Sequence, residues 1–259
     1  MTTSDQRGRF AWYDLMTTAP EVAPAFYSGL LGWGTQKWSG DMPYTMWTNA
    51  GAPLGGIMQL PAEAAAAGAP SHWIAYVSVP DVDATAARAA ELGATIYHPP
   101  TDIPGAGRFA VFADPQGATI AIYSSADPGQ SPNGGPKVGD FSWHELITTD
   151  HETAFGFYAD LFGWQRLEAI DMGPLGIYQV FGVGDTPLGG MMNRPEEMPV
   201  SAWLYYVRVA DMDAAVARVE SLGGSICNGP MEVPGGDRAA QCSDAQGAMF
   251  GLHWVAQGA

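Results

Sequence analysis

The apolar and polar positions along the chain change their period in a regular order. Residues 12–17 (WYDLMT) alternate between the two sides of a chain segment, which is typical of a half-buried strand. A helical stretch follows and ends near the glycine of residues 26–33 (FYSGLLGW). Turn residues then bound three short predicted strands, at residues 35–38, 44–48 and 54–60. The pattern therefore predicts one β-α-β-β-β module in this part of the chain.

The start of this predicted helix carries two local signals. Thr18 and Glu21 have the spacing of a capping box, and Thr149 and Glu152 repeat that spacing later in the chain. Pro24 lies inside the predicted helix, where a proline removes a hydrogen bond and clashes with the preceding turn. We therefore expect a helix that starts late or is kinked.

The order of elements recurs three more times. Within the first half it returns as a strand, a helix and three strands, at residues 73–79, 83–93, 94–98, 108–113 and 118–124. The second half then repeats the first: FAWYDL at 10–15 returns as FSWHEL at 141–146, and PLGGIM at 53–58 returns as PLGGMM at 187–192. The sequence thus predicts an α+β fold built from four βαβββ modules in tandem.

A segment rich in Pro, Gly and Ser separates the two halves. It reads SADPGQSPNGGPKVG and covers residues 125–139. Such a composition is typical of a linker, because it offers turns and few groups to bury. We therefore predict two domains, at residues 1–126 and 138–259, joined by a linker at residues 127–137.

Composition and charge exclude several classes of partner. The 259 residues are 47% apolar and carry a net charge of −16, from 27 acidic and 11 basic side chains. Because this charge repels phosphate backbones and anionic membrane surfaces, the sequence predicts no nucleic-acid partner and no membrane partner. It contains neither a run of roughly 18 apolar residues nor the apolar core of a signal peptide, so we expect a cytoplasmic protein.

Two motifs and the order of the elements resemble a known superfamily. The helix with AFY and LGW at residues 25–33 and the DPQG turn at residues 114–117 are similar to those of the vicinal oxygen chelate superfamily. Its members include glyoxalase I, extradiol dioxygenases and the bleomycin and fosfomycin resistance proteins. Two such domains in one chain are similar to actinobacterial proteins called glyoxalase-like or hydroxylase. The resemblance implies two homologous glyoxalase-like domains, each with a concave, barrel-like mixed sheet.

The resemblance also implies where metal ligands would lie, namely on the first and last strands of the modules. The corresponding positions in this sequence are Trp12, Ile74, Ala121, Trp143, Leu204 and Gly251. Since none of these side chains can ligate a metal, we predict no metal and no cofactor. In FSWHEL, alternation places Trp143 and Glu145 on the concave face and turns His144 toward the helix, unless a β-bulge reverses the phase.

The same alternation predicts the residues that face a binding pocket. Each half contributes an aromatic floor with a carboxylate beside it, although a tryptophan on this face could simply belong to the core and Arg208 could pair with Glu145. The predicted ligand-binding residues are Trp12, Asp14, His72, Tyr76, Tyr123, Trp143, Glu145, Tyr206, Arg208 and His253.

Three functions remain compatible with the sequence. We favour a metal-independent protein that binds a planar aromatic small molecule, such as a cationic natural product, for drug sequestration or resistance or as an accessory in biosynthesis, as the bleomycin resistance branch implies. The alternative is a metal-independent acid/base enzyme, an isomerase, cyclase or hydroxylase-associated protein, in which Glu145 and His253 are the candidate catalytic residues. A metal-dependent glyoxalase or dioxygenase comes third. The expected partner is a small hydrophobic or aromatic ligand, and the chain is expected to be a monomer, as a pseudo-dimer of its halves, or a homodimer.

Overall fold

The computed structural model describes residues 6–39, 44–126 and 135–256. The first half of the chain forms strands and helices in the order β1 (Phe10–Thr17), α1 (Ala23–Leu31), β2 (Gly34–Lys37), β3 (Thr45–Asn49), β4 (Ala52–Gln59), α2 (Ala62–Ala66), β5 (His72–Ser78), α3 (Val82–Glu91), β6 (Thr95–Ile103), β7 (Gly107–Ala113) and β8 (Thr119–Ser125).

The second half repeats this order with one difference. Among its described residues no helix corresponds to the short helix α2, and a 3₁₀ turn is present at Gly173–Leu175. Its elements are β9 (Phe141–Thr148), α4 (His151–Phe162), β10 (Gln165–Asp171), β11 (Ile177–Val183), β12 (Thr186–Asn193), β13 (Ala202–Arg208), α5 (Met212–Ser221), β14 (Ser225–Glu232), β15 (Arg238–Ser243) and β16 (Met249–Trp254).

Each half forms one eight-stranded sheet. The strand orders are β2-β3-β4-β1-β5-β8-β7-β6 and β10-β11-β12-β9-β13-β16-β15-β14. Both sheets are mixed, because the first and fourth strands of every module pair in parallel and the hairpins between them are antiparallel. The α+β fold with four βαβββ modules is therefore confirmed.

The chain packs into two compact units, and each unit takes one module from each half. Among the described residues, unit 1 comprises 6–12, 75–126 and 144–203, and unit 2 comprises 13–74, 135–143 and 204–256. The predicted domain boundaries at 1–126 and 138–259 follow the sequence repeat, whereas this packing interleaves the repeats. Residues 127–134 of the predicted linker lie outside the described residues.

A buried tyrosine–aspartate hydrogen bond holds the two modules of each unit together. In unit 2 the Tyr27 hydroxyl, from helix α1 of the first half, donates to Oδ2 of Asp244 at 3.0 Å and accepts from Nε1 of Trp73 at 2.9 Å. Asp244 begins the DAQG turn of the second half, and its Oδ1 also accepts from the Gln246 and Ala248 amides. Burial raises the pKa of the Asp244 carboxyl, because desolvation disfavours its charge.

Unit 1 contains the same arrangement with the halves exchanged. The Tyr158 hydroxyl, from helix α4 of the second half, donates to Asp114 of the DPQG turn at 2.9 Å and accepts from Trp203 Nε1 at 3.0 Å. The AFY and DPQG motifs both lie in the first half of the sequence. In the structure, each contacts the second-half counterpart of the other motif. The periodicity of apolar and polar residues along the chain does not indicate which half supplies the partner of each motif.

The helix starts partly agree with the sequence analysis. Helix α1 begins at Ala23, with Pro24 in its first turn, so the predicted late start is confirmed. The predicted capping boxes are wrong. No side chain caps α1, and α4 is capped by Asp150, whose Oδ1 accepts from the Glu152 and Thr153 amides. A carboxylate directly before the helix satisfies these two donors, so the threonine one residue earlier is not needed.

None of the helices among residues 6–39, 44–126 and 135–256 has the length and apolar character required to cross a membrane.

His144, the histidine of FSWHEL, packs inside unit 1 as predicted. Its imidazole is only 5% exposed and stacks on the Phe10 ring, with 3.6 Å between the ring centroids. Nδ1 donates to the Leu188 carbonyl at 2.6 Å, which fixes the proton on that nitrogen. Desolvation by burial lowers the pKa of His144 from 6.5 to about 3, so the ring is neutral in the folded protein at pH 7.

This depressed pKa predicts a loss of stability in acid. The unfolded chain protonates His144 below pH 6.5, whereas the folded chain resists protonation until about pH 3, so the contribution is fully present above pH 6.5 and declines as the pH falls. Between pH 7 and pH 4 the loss should be about 3 kcal/mol. Urea unfolding of wild type and His144→Tyr at several pH values measures it, since Tyr13 stands at the equivalent position of the first half.

The variant should unfold with a shallower pH dependence than wild type in this window. A His98→Gln variant is the matched control, because His98 is exposed on β6 and should leave the wild-type pH dependence intact. Equal slopes for wild type and His144→Tyr would contradict the buried, neutral histidine.

Candidate functional site

The positions where the resemblance places metal ligands are occupied by packed apolar groups. Ile74 and Leu204 are buried in unit 2, and Ala121 is fully buried in unit 1. Gly251 pairs with Tyr206 in the β13–β16 register, and a β-carbon at Gly251 would overlap the Tyr206 ring. This ring therefore takes the space in which a carboxylate of the last strand would reach a metal.

The donor set does not fit a metal ion. Across the three described stretches of the chain, no three His, Cys, Asp or Glu side chains are grouped so that they could share one. The Trp12 and Trp143 indoles offer no ligand atom, and the Tyr206 hydroxyl accepts a hydrogen bond from Gln241 Nε2 at 3.0 Å.

A tyrosine–carboxylate pair in unit 2 joins Asp14 on β1 to Tyr44, the residue directly before β3. Asp14 is opposite Gly56 in the β1–β4 register, and a β-carbon at Gly56 would overlap the ring of Tyr44. Only glycine lets this ring lie across the strand. The Tyr44 hydroxyl donates to Oδ1 of Asp14 at 2.5 Å, and Asp14 is only 3% exposed.

Unit 1 repeats the arrangement of glycine, tyrosine and carboxylate. Glu145 is opposite Gly190 in the β9–β12 register, and a β-carbon at Gly190 would overlap the ring of Tyr178. Glu145 is 8% exposed. The repeated PLGG segments therefore have a structural reason, because their second glycine makes room for an aromatic ring beside a buried carboxylate.

A cavity of about 470 Å³ opens next to Tyr44 in unit 2. Its size lies within the range of roughly 300 to 1,000 Å³ that is usual for small-molecule sites. Two aromatic side chains and a methionine face it, and Lys37 is the charged residue among the described residues that line it. The lining residues are Pro20, Lys37, Trp38, Tyr44, Thr45, Ile57, Met58 and Gln59.

A second polar arrangement lies elsewhere in unit 2, around His253. Nδ1 of His253 is 2.9 Å from the Ser142 hydroxyl, and Nε2 is 3.1 Å from Oδ2 of Asp237. Because a carboxylate accepts, Nε2 carries the proton and Nδ1 accepts from Ser142. Desolvation lowers the pKa of His253, while the Asp237 hydrogen bond opposes that shift. A neutral imidazole between a hydroxyl and a carboxylate can accept a proton at pH 7.

The structure distributes the predicted ligand-binding residues over both units. Unit 1 contains Trp12, Tyr76, Tyr123 and Glu145, and unit 2 contains Asp14, His72, Trp143, Tyr206, Arg208 and His253.

Within unit 2 several of these residues come together. The Trp143 and His253 rings lie 6.5 Å apart, and the positive charge of Arg208 contributes to the lowered pKa of His253. His72 is instead hydrogen-bonded to the Pro70 carbonyl at 2.8 Å. In unit 1 the Tyr123 hydroxyl donates to the Ala106 carbonyl at 2.7 Å, which ties it to the β6–β7 turn.

Sequence reasoning missed several polar and aromatic residues of these sites. Trp38, Tyr44 and Tyr178 had no signal of their own, but the repeated PLGG glycines could have indicated that bulky rings lie across β4 and β12. Ser142 and Asp237 reach His253 from sites far apart along the chain, and no spacing in the sequence reports that contact.

Proteins of similar sequence match nearly the whole chain. “Putative glyoxylase CFP32” of Mycobacterium tuberculosis (strain CDC 1551 / Oshkosh) is 31% identical over 250 residues, which cover 95% of each chain. “Anthracycline biosynthesis protein DauV” of Streptomyces sp. (strain C5) is 34% identical over 262 residues, which cover 95% of this chain and 92% of the relative.

Solved structures share the fold at low sequence identity. The Mn(II)-bound glyoxalase from Novosphingobium aromaticivorans superposes with a TM-score of 0.62 at 16% identity, covering 96% of this chain and 82% of that chain. The profile of the Glyoxalase/Bleomycin resistance protein/Dioxygenase superfamily matches residues 9–122 and again residues 141–252. Both halves of the chain therefore belong to the glyoxalase/bleomycin resistance protein/dioxygenase superfamily.

Proposed function

We propose that this protein binds a planar aromatic small molecule, without a metal, in the cavity of unit 2 beside Tyr44. The observation that carries the proposal is the lining of this cavity, to which Trp38 and Tyr44 contribute aromatic side chains and where the hydrogen bond to Asp14 holds the Tyr44 ring. A ring held in place loses little entropy when a ligand stacks on it. Met58 adds a flexible apolar side chain that adapts to the ligand's outline.

Among the lining residues that the structure describes, charge favours a neutral or acidic ligand over the cation considered from the sequence. Lys37 lines the cavity, while Asp14 is buried and already accepts the Tyr44 hydroxyl. An ammonium group on the ligand would face Lys37 and gain little from a carboxylate behind a tyrosine. A phenolate, carboxylate or sulfonate on an aromatic ring system would be attracted to Lys37 instead.

The relatives support the class of ligand. The Streptomyces relative is named for anthracycline biosynthesis and matches 95% of this chain. Anthracyclines are built on fused planar rings, which suit stacking on aromatic side chains such as Trp38 and Tyr44. We therefore propose a polycyclic aromatic metabolite as the ligand, with the protein acting as a binding protein or accessory in its biosynthesis.

A metal-independent acid/base enzyme is the second candidate function. The hydrogen-bonded series of Ser142, His253 and Asp237 favours it, since it holds a neutral imidazole with a defined tautomer. In this alternative His253 accepts a proton from the substrate or through the Ser142 hydroxyl, and Asp237 stabilises the imidazolium that forms. Glu145, the partner considered from the sequence, stays a prediction.

Aromatic binding can be tested by fluorescence. Anthraquinone-2-sulfonate should quench the tryptophan emission saturably, because its ring would stack against Trp38. Trp38→Leu and Tyr44→Leu should each weaken its binding by about 1 to 2 kcal/mol, through lost stacking and burial. The cationic 2-(aminomethyl)anthraquinone should bind more weakly than the sulfonate.

The matched control for this titration is Tyr97→Leu, which removes a tyrosine that is 63% exposed on β6. It should leave the affinity unchanged. Absence of saturable quenching by both anthraquinones, or equal affinity in wild type and Trp38→Leu, would refute binding in this cavity.

Metal independence predicts a low transition-metal content of the purified protein. Elemental analysis without added metal should find well under one Mn, Fe, Ni or Zn per chain, because the expected positions hold Trp12, Trp143 and Gly251 and the last is covered by Tyr206. A stoichiometric transition metal that survives dialysis would show that other side chains bind it.

The enzyme alternative can be tested without knowing its substrate. The probe is 5-nitrobenzisoxazole, a planar compound whose ring opens when a general base removes its carbon-bound proton. If His253 acts as a base, His253→Gln should lower the rate by about 10²-fold, and the lost rate should titrate below pH 6.5, since the pKa of His253 is lowered. His72→Gln is the control, and equal rates in wild type and His253→Gln would reject this alternative.

A further inference from the structure

Each unit contains a contact between two of its own helices. The charged residues at this contact differ between unit 1 and unit 2. In unit 1, Arg88 on α3 forms a two-pronged ion pair with Asp160 on α4, with Nε–Oδ1 and Nη2–Oδ2 both at 2.9 Å. Its Nη1 also contacts Glu91 at 3.1 Å. The Arg88 guanidinium is therefore matched by two carboxylates.

The equivalent arginine of unit 2 has neither carboxylate. The repeat places Arg218 on α5 at the position of Arg88, but Gly29 stands for Asp160 and Ser221 stands for Glu91. Nε of Arg218 donates to the Gly29 carbonyl at 3.0 Å. Within the described part of the chain, no carboxylate lies within ion-pair distance of Arg218.

A second arginine of unit 2, Arg208, lies near Arg218. Arg208 occupies the position of Ser78, and its Nη1 donates to the Pro136 carbonyl at 2.7 Å. It too forms no ion pair with a carboxylate among the residues that the structure describes. In a chain of net charge −16, two neighbouring guanidinium groups that form no ion pair with a described carboxylate are a local excess of positive charge.

Both arginines line a cavity of about 360 Å³ in unit 2, between the end of α1 and the start of α5. Much of its remaining lining is apolar, and Asp211 is the acidic residue among the described lining residues. The Asp211 carboxylate already caps α5, since Oδ1 accepts from the Ala214 amide at 3.0 Å. The lining residues are Gly29, Leu30, Leu31, Val138, Gly139, Arg208, Val209, Ala210, Asp211, Ala214, Ala215 and Arg218.

We infer that this cavity is a binding site for a small organic carboxylate with an apolar body. The ligand's carboxylate takes the place that the Asp160 carboxylate holds in unit 1 and pairs with the terminal nitrogens of Arg218. Its apolar body lies against Leu30, Leu31 and Val138. The inference concerns a different cavity from the one beside Tyr44 and does not depend on the proposed function.

The charge balance favours a monoanion. Among the described residues that line the cavity, two guanidinium groups and one capping carboxylate leave one net positive charge, which a single carboxylate neutralises. A planar carboxylate also matches the fork of a guanidinium in two parallel hydrogen bonds. Inorganic phosphate carries more charge, stays strongly hydrated and has no body to cover the apolar lining.

Calorimetric titration of the full chain with benzoate at low salt tests the site. Wild type should bind benzoate saturably, and neither benzamide nor inorganic phosphate should bind comparably. Arg218→Gln should weaken benzoate by about tenfold or more, because a charge-assisted pair is lost. Gly29→Asp should abolish binding, since it supplies from within the chain the carboxylate that unit 1 has.

Matched variants separate this effect from misfolding. Gly29→Ala adds the β-carbon without the carboxylate and should keep benzoate binding. A β-carbon there meets the methyl groups of Leu222 at 3.1 and 3.2 Å, and these lie at the end of a side chain that can shift. Arg88→Gln removes the unit 1 counterpart and should also leave benzoate binding intact.

Trp38→Leu distinguishes the two cavities, because it should leave benzoate binding unchanged while weakening anthraquinone-2-sulfonate. The inference is overturned if wild type does not bind benzoate, if Arg218→Gln binds it as wild type does, or if phosphate binds equally well. If Gly29→Asp and Gly29→Ala weaken benzoate to the same extent, the missing carboxylate is not the cause and the inference fails.

Discussion

The packing of this protein depends on a buried hydrogen bond between a tyrosine of one half and an aspartate of the other. Tyr27 reaches Asp244 in unit 2, and Tyr158 reaches Asp114 in unit 1. Each aspartate also ties its own turn together through backbone amides, and each tyrosine also accepts from a tryptophan. Such a network is costly to leave incomplete in an apolar interior, so it fixes which module packs against which.

The sequence contained most of the local structure but little of this pairing. Strand and helix periods predicted the four modules, Pro24 predicted the late start of α1, and alternation turned His144 into the core. Each of these depends on neighbours along the chain. The exchange of modules between halves depends on contacts such as Tyr27 with Asp244, which are 217 residues apart, and periodicity is silent about them.

In the candidate sites, too, the sequence predicted local features but not the contacts between distant residues. Asp14, Glu145 and His253 were predicted from alternation, because it reports which face a side chain takes. Their partners were not, since Tyr44 arrives from the edge of β3 and Asp237 from the turn before β15. The partners change the chemistry: a carboxylate bound by a tyrosine hydroxyl no longer offers an open negative charge, and a histidine held by an aspartate has one defined tautomer.

Because each compact unit takes one module from each half, two separate halves would have to dimerise to form these units. The linker joins the two halves in one chain. Separate halves would form the same units by association, at a cost in translational freedom that depends on their concentration. Covalent connection makes this step intramolecular, with an effective concentration set by the linker. It also allows the two halves to differ in sequence, because one gene encodes both. Asp160 in one copy and Gly29 in the other are such a difference, which a symmetric dimer of identical chains could not contain.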